Sequence, residues 1–290
     1  MTILTFDIEE WFHLLDHPST RTEDDWAKFP SRIHENVDRI LDMLHRNNQK
    51  ATFFCLGWVA RKYPEIIKKI AESGNEIATH SDLHQLAYQQ NRKAFAEDLK
   101  RSIESLEGIS GRKIRAYRAP GFSLMESNKW VFSELITQGI EIDCSIFPAK
   151  RSHGGFANFG QQEPCWVDVD GHKLKEFPIN VTSMAGLPVI FSGGGYFRLL
   201  PDAILAKLWD QQKYVMTYFH VKGSNKLKVS DLINYTLFED LFMKEGVVKY
   251  VFMHDESGPI FKSMKEIRHA MTGKIICEWH DGNQYIPLQF

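Results

Sequence analysis

The chain is 290 residues long, 43% hydrophobic and 25% charged, which suits one large globular domain or two small ones. A net charge of -2 excludes the strongly basic surface expected for binding nucleic acid or an anionic membrane. No window approaches the ~20 apolar residues of a membrane span, and the opening lacks the basic start and long apolar run of a secretory signal, so the expected compartment is the cytoplasm.

In chain order, short apolar strands alternate with amphipathic helices. Residues 3–7 read as a buried strand, and Ser31 is placed to cap a helix with Ile33, Val37, Ile40, Leu41 and Leu44 on one face. Residues 51–56 form the next strand, followed by a helix reaching about Ser73, with Gly74 as its left-handed cap. Strand 76–79 and helix 92–106 follow, then strand 114–117, helix 128–138 closed by Gly139, and strand 140–145. A polar, glycine-rich stretch (151–160) leads to short strands near 175–177 and 189–191, helix 201–212 and strand 214–219. One more helix–strand–helix set, with its strand at 248–253, completes the pattern. Such alternation predicts an α/β fold with a mostly parallel sheet, read as an irregular (β/α) barrel, the alternative being a doubly wound open sheet. No linker or repeat divides residues 1–290, which are read as a single domain.

Cys55, Cys144, Cys165 and Cys277 stand far apart, with no Cys-x-x-Cys pair, and read as reduced, mostly buried thiols. The polar groups of interest fall where strands end. Asp7 and Glu9 close the first strand, His80 and His84 follow the third, Arg118 follows the fourth, Asp143 ends the fifth and His220 follows Phe219. In parallel barrels the C-terminal strand ends form one face, and active sites are built there.

If the run His80-Ser-Asp-Leu-His84 turns helically, its two imidazoles share a face, and with one carboxylate they make a catalytic zinc or iron(II) set. Strand alternation puts Asp7 and Glu9 on one side and Glu10 on the other, which favours Glu9 as ligand and leaves Asp7 free to act as a base. Arg118-Ala-Pro-Gly121 is either an ordinary surface turn or a device in which Arg118 orients an acid and the Gly121 N–H faces a developing oxyanion. Asp143 is equally a turn former, and a lone histidine such as His220 is more often a satisfied core residue than a catalyst. His13 and Trp11 border the first strand end without an assigned role. Gly193–Gly195 is no phosphate loop, since no Lys-Ser/Thr follows it.

The ordered set Thr5-Phe-Asp7-Ile-Glu9-Glu10, Ala51-Thr-Phe-Phe, His80-Ser-Asp-Leu-His84, Arg118-Ala-Pro-Gly121, Asp143-Cys-Ser and Tyr218-Phe-His220 resembles the polysaccharide deacetylases, carbohydrate esterase family 4, related to the nodulation chitooligosaccharide deacetylase. It spans residues 1–220, leaving 221–290 as a C-terminal extension. The run Gly193-Gly-Gly-Tyr-Phe-Arg-Leu-Leu-Pro201 is similar to the subgroup found in bacterial exopolysaccharide and O-antigen gene clusters. The resemblance implies a distorted (β/α) barrel of the polysaccharide deacetylase type and a divalent metal, usually Zn2+. It implies that Glu9, His80 and His84 hold the metal, Asp7 is the general base and Arg118 positions it. It further implies that the Gly121 amide stabilises the oxyanion, and that His220 protonates the leaving amine with Asp143 tuning its charge.

Two departures stand out. The usual second Asp of the first motif is replaced by Ile8-Glu9, and His220 is followed by Val221-Lys222-Gly223 rather than Pro-Trp-Glu. His254, in Val251-Phe-Met-His254-Asp255, is a rival to His220 as the acid. The function implied is N-deacetylation of an amino sugar, on a nucleotide- or lipid-linked precursor or an oligosaccharide, in surface-glycan assembly. The alternatives are a cyclic-amide or ureide hydrolase of the allantoinase-like branch and a non-catalytic sugar-binding relative. The carbohydrate partner rests on the resemblance alone.

Overall fold

A computed structural model describes residues 2–15, 20–151, 154–184, 186–193, 197, 200–220 and 284–287. The apolar runs near the first, second and third strand positions become β1 (Thr2–Ile3) with β2 (Thr5–Ile8), β3 (Thr52–Cys55) and β4 (Glu76–Thr79). Between them lie α1 (Glu23–Trp26), α2 (Ile33–Arg46), α3 (Gly57–Lys62) and α4 (Pro64–Glu72). There follow α5 (Arg92–Ser110), β5 (Ala116–Tyr117), α6 (Trp130–Thr137) and β6 (Ile142–Asp143). The remaining elements are β7 (Cys165–Val169), β8 (His172–Glu176), β9 (Thr182–Met184), β10 (Leu187–Val189), α7 (Asp202–Asp210), β11 (Val215–Met216), β12 (Phe219–His220) and β13 (Gln284–Pro287).

The main sheet runs β12-β2-β3-β4-β5-β6-β8-β7-β13, and every neighbouring pair is parallel except β7–β8. Its two faces differ in what covers them. One face, with Ile8, Cys55 and Tyr117, packs in a single cluster with buried residues of the helices, such as Val37, Val59, Ile67, Leu99 and Phe132. The other carries Phe54, Ala78, Ala116 and Ile142, packed with Phe122, Phe147, Phe177, Tyr214 and Met216, none of them from an α-helix. Helices on one face and a strand-and-loop core on the other make this a distorted (β/α) barrel rather than a doubly wound sheet. Among the described residues no pairing joins β12 to β13.

Several local expectations need correction. Ser31 does not cap α2: its hydroxyl donates to Glu10, and it is the Glu10 carboxylate that accepts from the N–H groups of Arg32 (3.1 Å) and Ile33 (3.3 Å). A carboxylate brought from a distant strand end satisfies orphan donors as well as a local hydroxyl does, and its charge also suits the helix dipole. The single helix expected after residue 57 is broken in two at Tyr63, because Pro64 lacks an N–H and opens the next helix. Helix α5 runs one turn further than expected, to Gly111 in the left-handed region. The strand expected near 175–177 is one arm of an antiparallel hairpin with β7, which the reading missed because Asp168 and Lys173 dilute its apolar signal. The strand expected at 214–219 is interrupted at Thr217, whose hydroxyl accepts from the Thr5 N–H at 2.9 Å. The predicted strand 248–253, His254 and Cys277 lie outside the described residues. Cys55, Cys144 and Cys165 are free and buried, and burial pushes their thiols up.

Candidate metal centre

The strand order places the polar ends side by side. His220 on β12 is the register partner of Asp7 on β2, and Glu9 lies just past the end of β2. His80 follows β4, with its N–H bonded to Cys55 C=O at 2.9 Å, and Arg118 follows β5, with its N–H bonded to Thr79 C=O at 3.0 Å. The sheet therefore brings Asp7, Glu9, His80, Arg118 and His220 to the same end of neighbouring strands.

The segment from His80 to His84 is not helical. Ser81 (φ 71°) and His84 (φ 55°) are both left-handed, so the imidazoles converge through a tight loop rather than by helical spacing. Side chains hold that loop from outside. Ser81 Oγ accepts from the His84 N–H at 3.0 Å, and the Asp98 carboxylate accepts from the N–H groups of Asp82 (2.9 Å) and Leu83 (3.2 Å). The buried Asp82 carboxylate is gripped by Arg61 (Nη2 at 3.0 Å) and Arg101 (2.5 Å). Gly57 is needed where the loop meets α5, since a Cβ there would stand 2.2 Å from Asp82 Oδ1 and 2.7 Å from Ser102 Cα. Asp82 and Asp98 went unnoticed in the sequence, although Asp82 lies inside the His80–His84 run and Asp98 interrupts the apolar stripe of its helix.

One ligand atom from each of Glu9, His80 and His84 lies within 4.8 Å of the other two. Glu9 Oε2 is 2.7 Å from His84 Nε2. His80 Nδ1 is 2.8 Å from Arg118 C=O; a carbonyl only accepts, so Nδ1 carries the proton and Nε2 offers a lone pair to the centre. Burial, with the His84 charge beside it, outweighs Asp7 and Glu9 and holds the His80 pKa below its ordinary value, which favours the neutral ligand form. Two imidazoles and a carboxylate in a buried cluster of this size fit a divalent cation of the zinc class, whose tetrahedral ligand atoms sit about 3.3 Å apart.

Beside this cluster Arg118 Nη1 donates to Asp7 Oδ1 at 2.8 Å, and His220 Nε2 stands 3.8 Å from Asp7 Oδ2 and 3.4 Å from Glu9 Oε1. Arg118 is fully buried, with its guanidinium carbon 4.0 Å above the Phe54 ring, which removes the surface-turn reading. Burial pushes the Asp7 carboxyl up, but the charges of Arg118, His80 and His220 and the Arg118 hydrogen bond more than offset this and leave its pKa lowered. Gly121 follows three residues after Arg118 in a left-handed conformation (φ 62°) within a short turn. His13 is buried, and its ring lies 6.1 Å from that of His84 and 4.4 Å from Trp26.

Asp143 is placed differently from what the resemblance implies. Along the sheet Ile8, Cys55, Thr79, Tyr117, Asp143 and Glu176 are successive register partners, and this row faces the helices. Asp7 and His220 belong to the adjacent row with Phe54 and Ala78, which faces the interior. Asp143 Oδ1 instead accepts from Ser145 Oγ at 2.5 Å, and its carboxyl is hydrogen-bonded to that of Glu176. A residue across the sheet is poorly placed to tune His220, and the one-residue strand parity that decides this was not counted from the sequence.

Residues 3–136 match the family model described as polysaccharide deacetylase. Over these residues the chain is similar to the polysaccharide deacetylase family. Residues 144–228, which contribute β7, β8 and β12 to the same sheet, match a second model described only as a domain of unknown function (DUF3473). The chain is 34% identical over 97 residues to a peptidoglycan-N-acetylglucosamine deacetylase of Bacillus cereus, a match covering 33% of this chain and 35% of that protein. It is 32% identical over 84 residues to the peptidoglycan-N-acetylmuramic acid deacetylase PdaC of Bacillus subtilis, covering 29% of this chain and 18% of that protein. The match thus spans about a third of the length of the first relative and less than a fifth of the second. A crystal structure described as a polysaccharide deacetylase from Mycobacterium smegmatis superposes with a TM-score of 0.56 at 23% identity over 76% of each chain, a likeness of fold. No helix among the described residues is long and apolar enough to cross a membrane.

Proposed function

We propose that residues 1–290 form a single catalytic unit, a divalent-metal-dependent N-deacetylase that hydrolyses the acetamide of an amino sugar. The observation that carries this reading is the juxtaposition of two different sets of groups: a Glu9–His80–His84 cluster, and an Asp7 carboxylate held by Arg118 with His220 across from it. A sugar-binding protein would have no use for a buried ion pair that keeps a carboxylate ionised beside a histidine.

In the proposed reaction Glu9, His80 and His84 hold the cation, with zinc favoured by the nitrogen-rich donor set. When bound, it supplies Lewis acidity, lowering the pKa of water toward neutrality and polarising the acetamide carbonyl. Asp7 takes the proton from water as its oxygen bonds to the carbonyl carbon, and Arg118 keeps Asp7 ionised and fixed in direction. The Gly121 N–H is the proposed donor to the oxyanion. His220, whose side chain is 35% exposed and so in reach of solvent protons, protonates the nitrogen as the C–N bond breaks, giving acetate and the free amine. The support for a bacterial surface-glycan substrate is the Gly193–Pro201 run and the N-acetylated sugars named for the relatives.

The test is metal content of protein purified without chelator, together with acetate release from N-acetylated oligosaccharides and a nucleotide-linked N-acetylhexosamine. About one ion per chain with chelator-sensitive acetate release is expected. Asp7→Asn should keep the ion and lose turnover by ~10²-fold or more, whereas His80→Ala should lose both. Full activity in Asp7→Asn would overturn the proposed base, and failure to take up any divalent ion would overturn the centre.

A further inference from the structure

A second cationic group borders this centre, and the deacetylation chemistry gives it no task. Arg151 lies in the loop after β6, with its guanidinium carbon 5.0 Å from the Phe147 ring centre and 5.8 Å from that of Phe122. The same Phe122 ring carries Arg118 at 5.6 Å and meets Tyr218 edge-on at 5.1 Å, and the Tyr218 ring is 5.7 Å from that of His220. Arg151 is therefore one aromatic ring away from the proposed base-positioning arginine, through Phe122, and two from the proposed acid, through Phe122 and Tyr218.

The loop that presents it is closely packed. Arg151 forms an antiparallel bridge with Gly154. Gly154 (φ +134°) and Gly155 (φ +94°) both take left-handed backbone, and a Cβ on them would stand 2.7 Å from Phe122 C=O and 2.1 Å from Ala149 C=O. No side chain fits at either place, so the turn is held against the backbone on both sides.

Arg151 Nη1 is buried without a hydrogen-bond partner among the described residues. Among the described residues the titratable groups that act on the guanidinium are the phenols of Tyr218 and Tyr88. A guanidinium keeps its charge in a protein, and a desolvated N–H left unmatched is costly. Its planar fork fits the paired oxygens of a carboxylate or phosphate, and the buried Phe122 and Phe147 rings beneath it hold its direction.

We infer that Arg151 is an anion-recognition residue of the substrate site, reading a carboxylate or phosphate attached to the N-acetylated sugar. The inference deepens the deacetylase reading, which supplies the sugar, by assigning the substrate a negative charge near its acetamide. Neutral N-acetylated sugars then bind without using Arg151, and anionic ones gain a charge-assisted hydrogen bond.

Calorimetric binding separates this from catalysis. The probes are N-acetylglucosamine, N-acetylglucosamine 1-phosphate and N-acetylmuramic acid, measured against wild type, Arg151→Gln and Arg151→Lys. At least one anionic probe should bind wild type tenfold or more tightly than the neutral sugar, and that preference should shrink with added salt. Arg151→Gln should abolish the preference by bringing the anionic probes to the affinity of the neutral sugar, while Arg151→Lys, which keeps the charge but not the fork, should retain part of it. Preference for the phosphate probe assigns a phosphate-linked sugar, and preference for the carboxylate probe assigns an acidic sugar. Equal binding of neutral and anionic sugars, or a preference undiminished in a folded Arg151→Gln, overturns the inference. Anion preference without acetate release from any substrate keeps this site and removes the deacetylase; acetate release with no preference does the reverse.

Discussion

Arg118 Nη1 stands 2.8 Å from Asp7 Oδ1, in an ion pair whose two side chains are only 0% and 3% exposed. Removing one member of such a pair leaves the other charged and desolvated. Arg118→Met is therefore expected to lower stability by about 3–5 kcal/mol in urea denaturation. Asp7 has a pKa below its ordinary 3.8, so the pair contributes stability above that pH and loses it as pH falls through the folded value. The gap between wild type and Arg118→Met should narrow in acid, and a gap that widens would contradict the pairing.

The Glu9–His80–His84 cluster makes a prediction about stability that is independent of turnover. A ligand that binds only the folded chain raises its stability by mass action, by about 4 kcal/mol at a thousand times its dissociation constant. Saturating zinc should raise the melting temperature of chelator-treated protein by at least ~4 °C, and His80→Ala should abolish that rise. An equal rise in His80→Ala would place the ion elsewhere.

Asp98 braces the His80–His84 loop by accepting two backbone N–H groups, yet burial pushes its pKa from 3.8 to about 6. A carboxyl with a raised folded pKa contributes stability that is fully present below 3.8 and is lost as pH rises through about 6, a swing of about 3 kcal/mol at most. Asp98→Asn removes this titration. The stability of wild type relative to Asp98→Asn should therefore fall between pH 4 and pH 7, measured by denaturation at each pH, and a constant difference would refute the raised pKa.

Glu176 and Asp143 are fully buried register partners whose carboxyls are hydrogen-bonded, and burial with mutual repulsion drives Glu176 well above the ordinary carboxylate range. The expectation is that the pair shares a proton at neutral pH and that Glu176 carries it. Glu176→Gln, which also donates, should change stability at pH 7 by less than about 1 kcal/mol, whereas Glu176→Ala strands Asp143 and should cost about 2–4 kcal/mol. A glutamine variant as damaged as the alanine one would mean that the proton is not on Glu176.

Much of the architecture was legible because it rests on local pattern. The apolar runs at β3 and β4 and the stripe of Phe95, Leu99, Ile103 and Leu106 on α5 carry their period in the chain itself. Where a distant group intervened, local reading failed. Ser31 has the chemistry of a cap, but Glu10 arrives from a strand end to take that place, and Asp168 and Lys173 hide a hairpin whose burial comes from neighbouring elements.

The sequence by itself determined which residue types stand at the ends of which strands, and alternation correctly sent Glu10 away from Asp7 and Glu9. Only the tertiary structure decided how they meet. The His80–His84 loop closes through two left-handed residues held by Asp82 and Asp98, and Asp143 faces the helices while His220 faces the interior beside Asp7. The physical reason is that period and propensity act over a few residues, whereas burial, ion pairing and the register of parallel strands join groups up to 213 positions apart, as His220 and Asp7 are. Arg151, in a stretch that read as a plain polar loop, acquires its chemistry only from the rings packed around it.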